Sequence, residues 1–253
     1  MSDPVSRTAL QSPDAQYLAA VDRTEDLARL RAQAQKRKSM LVFGPEGVGK
    51  TRLLLAFVQT QPFALYVPQI RSPREFMMTL IQDIRRLDQR GLRLPATANS
   101  LSARSLKGIV QRALAEIPCM LVLDHLAGPS RIVTGIVREF SDYGRRPIYF
   151  AARTPHMEDI GNLQPMCADR SERLEIRNFT PAVALEFARR EAERSGLWAS
   201  NLDSALHSLV EWSEGNPGSI LQMLKMADLP RYRTGDQIKA HVLYLDYRMG
   251  HRE

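Results

Sequence analysis

Cysteine is nearly absent from this chain. Cys119 and Cys167 are the two in 253 residues, too few for a disulfide framework, so a reducing compartment is expected. Neither lies in a zinc-type Cys/His spacing. Long hydrophobic runs are missing as well: no segment approaches the roughly 18 apolar residues of a membrane helix. The opening MSDPVSRTALQSPDAQ carries no apolar core of a signal peptide. The expectation is a soluble, cytoplasmic protein with no membrane partner. There is no internal repeat and no low-complexity tract.

What is present suits one large core with a small satellite: 44% of residues are hydrophobic and 25% charged. Acidic residues are in deficit, 28 against 35 Lys and Arg, for a net charge of +7. The excess is uneven. Between Arg71 and Arg112 the cations are Arg71, Arg74, Arg85, Arg86, Arg90, Arg93, Arg104, Lys107 and Arg112, and the anions only Glu75, Asp83 and Asp88, a local charge of +6. Such a segment either follows the phosphate backbone of DNA or is a solvated helix face.

Residues 1–17, with Pro4 and Pro13, read as a flexible leader. From Thr24 a helix is expected, with Glu25 and Asp26 in its first turn. Short apolar runs at 39–44, 63–70, 118–126, 146–154 and 172–179 read as strands, and helical spacing fills 51–60, 73–90, 103–117 and 129–142. Strands alternating with helices imply a parallel sheet covered on both faces. After residue 180 the strand pattern ends. TPAVALEFARREAERSG opens with Thr180 as cap and Pro181 at the first helical position, and stops at Gly196. Further helices are expected over 202–213, 217–227 and 235–248. The expected organisation is an α/β nucleotide-binding domain over 18–179 and a helical lid domain over 180–253.

The chemistry concentrates in LVFGPEGVGKTRLLL, residues 41–55. Gly44-Pro45-Glu46-Gly47-Val48-Gly49-Lys50-Thr51 fits G-x4-G-K-[ST], after an expected strand and opening an expected helix. Glycines let successive backbone N–H groups turn inward as an anion nest, and the helix directs its positive end at the same place. Lys50 supplies a cation to the β- and γ-phosphates, and the Thr51 hydroxyl is a ligand for Mg²⁺. Arg52 follows directly on the same helix. The expected ligands are ATP and Mg²⁺.

An acidic partner for the metal is found in Met120-Leu121-Val122-Leu123-Asp124, an apolar strand ending in a carboxylate whose burial a metal or a cap would compensate. His125 follows. In ATPases with an extra strand between loop strand and acidic strand, that place often holds a glutamate that activates water. Three readings of His125 stay open: it takes the proton itself, another residue does, or ATP is bound and turned over very slowly. Arg153, at the end of IYFAART, is either a sensor of the terminal phosphate or a surface arginine. Gly215-Asn216-Pro217 is either a helix–helix turn or part of the nucleotide site.

Together these pieces resemble the AAA+/STAND P-loop ATPases, in particular the origin-recognition-like branch, from Val21 to about Met226. VDRTEDLARL (21–30) resembles that group's entry motif, GPEGVGKT its phosphate loop, MLVLDH its metal-binding strand, AART its terminal-phosphate sensor and GNP its lid motif. The resemblance implies metal contacts from Thr51 and Asp124, a terminal-phosphate sensor in Arg153 and Pro217 packed near the nucleotide. Asp124, His125 and Arg153 are the candidate catalytic residues, and because His125 stands where the family has an acidic residue, active hydrolysis is not carried over. It also implies ATP-dependent self-association or protein-partner switching, with a DNA-associated helper ATPase and a nucleotide-retaining scaffold of little hydrolysis as alternatives. Arg145, Arg146, Arg170 and Arg173 are all candidates for an arginine finger, and the sequence does not choose among them.

Overall fold

The structure is a computed structural model that describes residues 23–87, 100–126, 128–142 and 146–250. The leader, Val21, Asp22, Arg90, Arg93 and Arg145 lie outside the described residues. These fall into two compact units: Arg23–Gly44 with Lys50–Ile176, and Pro45–Gly49 with Arg177 onward.

The first unit is built on a five-stranded, all-parallel sheet. Its strands are β1 (Met40–Phe43), β2 (Ala64–Val67), β3 (Met120–Leu126), β4 (Ile148–Ala152) and β5 (Arg173–Glu175), in the order β2-β3-β4-β1-β5. Its helices are α1 (Thr24–Gln35), α2 (Lys50–Gln59), α3 (Pro73–Leu87), α4 (Ala103–Glu116), α5 (Arg131–Asp142) and the single turn α6 (Met157–Ile160). The central strands are buried on both faces, as parallel strands under crossover helices must be.

Successive residues of each strand serve opposite faces. Leu121, Leu123, Ile148 and Phe150 enter one core with Phe76, Leu80 and Ile84 of α3, Leu106 and Val110 of α4, and Val137 and Phe140 of α5. Those helical residues recur at spacings of three and four, and each fully buried one stabilises by about 2 kcal/mol. On the other face Phe57 of α2 lies 4.7 Å from the Tyr149 ring. Local caps set the starts of two helices: Ser102 Oγ accepts the Ser105 N–H, and Ser72 Oγ accepts that of Glu75. The outer edge strand β2 is covered from α3, where the buried Asp83 accepts the Tyr66 N–H at 2.9 Å.

The second unit carries α7 (Pro181–Ser195), α8 (Leu202–Trp212), α9 (Pro217–Ala227) and α10 (Ala240–Gly250). Gly196 ends α7 in the left-handed region, as its position after an apolar-periodic helix predicts. The helix expected over 235–248 begins only at Ala240. Before it, Arg233–Thr234 (β6) and Gln237–Ile238 (β7) form an antiparallel hairpin. Gly235, at φ +58°, supplies the turn. Asn201 then pins the returning strand, donating to the Ile238 carbonyl and accepting its N–H at 2.9 and 2.8 Å. Among the described residues no helix is long and apolar enough to cross a membrane.

Candidate nucleotide site

The parallel sheet brings the C-terminal ends of β1, β3 and β4 to one edge, and each ends in residues the sequence singles out. At the end of β1, the Gly44 N–H donates to the Arg153 carbonyl just beyond β4, at 3.2 Å. Lys50 opens α2 and folds its ammonium back, Nζ donating to the Gly44 carbonyl at 2.7 Å. The cation is therefore held at the end of β1. Arg153 is exposed at the same edge, and Arg52 is half-buried on α2.

The end of β3 is irregular in a way that matters. Pairing with β4 slips between Leu123 and Leu126, a bulge that spans Asp124 and His125. His125 takes a left-handed φ of +50°, rare outside glycine. The result is a buried carboxylate followed at once by an exposed imidazole. Asp124 is 1% exposed; its Oδ1 accepts the His125 N–H at 2.8 Å and its Oδ2 accepts the Tyr66 hydroxyl at 2.9 Å. Burial, with the Asp124 charge beside it, pushes the Tyr66 hydroxyl well above the ordinary tyrosine range, so it stays a donor. The His125 ring turns to Thr51: Nε2 lies 3.2 Å from Thr51 Oγ1 and 3.8 Å from Asp124 Oδ2.

The imidazole thus touches both groups expected to hold a metal. Thr51 and Asp124 offer hard oxygen donors, which suit a hydrated Mg²⁺ completed by phosphate oxygens. No cluster of three or more His, Cys, Asp or Glu able to hold a metal occurs among the described residues.

In the second unit, Pro45, Glu46 and Gly47 are exposed and Val48 is buried. Gly47 has φ +77° and Gly49 φ +101°, conformations that favour glycine. Pro217 is buried at the first turn of α9; the residues on either side of it, Asn216 and Gly218, bond the loop carbonyls of Glu46 and Gly47.

Two of the finger candidates are engaged in the fold. Arg146 is buried, donating to the Leu114 and Phe140 carbonyls, and Arg173 donates to those of Cys167 and Ala168. Arg170 is exposed. At the entry motif, Arg23 precedes α1 and pairs with Asp26 at 3.3 Å.

The order β2-β3-β4-β1-β5 leaves β3, with its acidic residue, one strand removed from β1 and the loop after it, and the fold as a whole is similar to that of several solved structures. The Walker-type ATPase PABY2304 of Pyrococcus abyssi matches at 17% identity and TM-score 0.61, over 91% of this chain and 73% of that one. Cdc6p from Pyrobaculum aerophilum matches at 15% and 0.60, over 88% and 65%. ORC1 of Aeropyrum pernix, solved in complex with DNA, matches at 16% and 0.60, over 97% and 69%. The chain has the P-loop NTPase fold that these ATPase structures share. No protein-family model and no curated protein matches the sequence.

In this fold the residues that sequence reasoning missed are Tyr66, Asn178 and Gly218; Asn216 was named within Gly215-Asn216-Pro217, without its partner. Tyr66 reaches Asp124 only because β2 pairs with β3 in the register Val67 to Leu123, a long-range choice with no local signal. Asn216 and Gly218 flank a proline that the GNP motif did single out, so their neighbourhood was legible and their partners were not.

Proposed function

We propose that this chain binds ATP with Mg²⁺ and acts as a nucleotide-dependent switch or assembly factor. The observation that carries the reading is a complete G-x4-G-K-T loop between β1 and α2, with a buried aspartate at the end of β3 on the same sheet edge. Lys50 and the loop amides would hold the phosphates, Thr51 and Asp124 the metal. Mg²⁺ held there would neutralise phosphate charge. Arg153 stands at the edge where a terminal phosphate would be read. The helical segment after residue 180 is proposed as the lid, and self-association or partner exchange as the output.

Hydrolysis is proposed to be slow. His125 occupies the position after the metal carboxylate and spends its Nε2 on Thr51, so this ring is a poor base for water until that contact opens. Lys50→Ala should abolish ATP binding while leaving the fold intact by circular dichroism; normal affinity in that variant would refute the assignment. Magnesium-dependent turnover that disappears in Asp124→Asn separates a working ATPase from a nucleotide-retaining scaffold.

A second reading, DNA association, is favoured by the exposure of Arg71, Arg74, Arg85, Arg86, Arg104 and Arg112 on and beside α3 and α4. Arg86 is partly compensated by Asp83, and Lys107 pairs with Glu139. Phosphate contacts predict DNA affinity that falls steeply with salt; affinity that is flat with salt counts against it.

A further inference from the structure

The second unit contains a contact that no motif predicts. Asn216 Nδ2 donates to the Glu46 carbonyl at 2.8 Å, and the Gly218 N–H donates to the Gly47 carbonyl at 2.9 Å. Two consecutive peptide groups of the phosphate loop are therefore gripped by their oxygens. A trans peptide is planar, with its C=O and N–H pointing in opposite directions. Fixing the Glu46 and Gly47 oxygens toward α9 fixes the N–H groups of Gly47 and Val48 away from it. An anion nest needs its N–H groups held in one orientation before the anion arrives.

The grip is built closely. A Cβ on Gly47 would lie 2.5 Å from Asn216 Oδ1, and a Cβ on Gly218 would lie 2.7 Å from Gly47 Cα. Asn216 is itself fixed: Oδ1 accepts the Ser219 N–H at 3.1 Å as the cap of α9, and Nδ2 also meets Asn178 Oδ1 at 3.2 Å. Gly218, one of the first residues of α9, carries an N–H that the helix itself cannot satisfy. The loop carbonyl satisfies it.

We infer that Asn216 and Gly218 are positioning residues for the phosphate loop, orienting the Gly47 and Val48 amides for a nucleotide's phosphates and tying loop occupancy to α9. This rests on the nucleotide reading above. Asn216 has two separable jobs, and substitution separates them. Serine and aspartate both cap a helix as asparagine does, but serine is too short to reach Glu46, and aspartate has no donor to offer its carbonyl.

The test measures ADP and ATP affinity by calorimetry on the full chain, with thermal denaturation and amide exchange at Gly47 and Val48 alongside. Asn216→Ser and Asn216→Asp should leave the chain folded, with a melting temperature lowered by only a few degrees, speed exchange at both amides, and weaken nucleotide binding roughly tenfold, the order expected from one lost hydrogen bond. Serine carries no charge, so its loss cannot be repulsion of phosphate. Gly218→Ala should weaken binding through the clash with Gly47. Wild-type affinity and wild-type exchange in both Asn216 variants would overturn the inference while leaving the nucleotide site standing. If the wild-type chain binds neither nucleotide, or Lys50→Ala binds as well as wild type, the nucleotide reading fails and this inference with it.

Discussion

Tyr66→Phe removes one oxygen and leaves the ring, so it isolates the hydroxyl's bond to Asp124. That carboxylate is 1% exposed, and without Tyr66 its Oδ2 keeps only the His125 ring at 3.8 Å, beyond hydrogen-bond range. A hydrogen bond to a charged group contributes about 1.5–3 kcal/mol, and leaving the acceptor buried costs at least that. For a chain of this size a loss of about 2 kcal/mol lowers the melting temperature by roughly 5 °C. The Tyr66 N–H bond to Asp83 is backbone and survives the change. Differential scanning calorimetry without nucleotide should give this drop. Saturating Mg²⁺ and ATP should recover much of it, because a cation at Thr51 and Asp124 compensates the same oxygen. An unchanged melting temperature would refute the claim that Asp124 is a buried carboxylate held by Tyr66. An equal deficit with and without Mg²⁺–ATP would refute its role toward the metal.

Tyr149 offers the opposite case, since its buried hydroxyl has no hydrogen-bond partner among the described residues. Tyr149→Phe should raise stability at neutral pH by about 1 kcal/mol, read as a higher urea midpoint at unchanged slope, with the Phe57 ring contact kept. Burial raises the hydroxyl pKa of both Tyr66 and Tyr149. The folded chain therefore keeps protons that the unfolded chain sheds near pH 10. The stability this contributes is full below that pH and falls as pH rises above about 10. Tyr149→Phe should flatten the alkaline loss, and an identical alkaline slope would count against it.

The arrangement at the end of β3 explains why hydrolysis is the open step of the proposed function. A left-handed His125 sets its ring on Thr51 rather than leaving a carboxylate facing outward.

Much of this protein was legible in order along the chain. Apolar runs gave the five strands, and 3.6-residue spacing gave the helices that cover them, because a parallel strand must be apolar on both faces and a surface helix on one. The G-x4-G-K-T signature is readable without tertiary information, because its glycines, lysine and threonine lie within eight consecutive residues. The β6–β7 hairpin escaped because Gly235 interrupts a stretch whose flanking residues otherwise suit a helix, and strands two residues long leave no periodicity. Tyr66 beside Asp124, the His125 ring on Thr51, and the Asn216–Gly218 hold on the loop were decided only by tertiary structure. Each joins residues between 58 and 171 positions apart. Local sequence sets which conformation a segment prefers, whereas strand register and chain return set which distant side chain meets it.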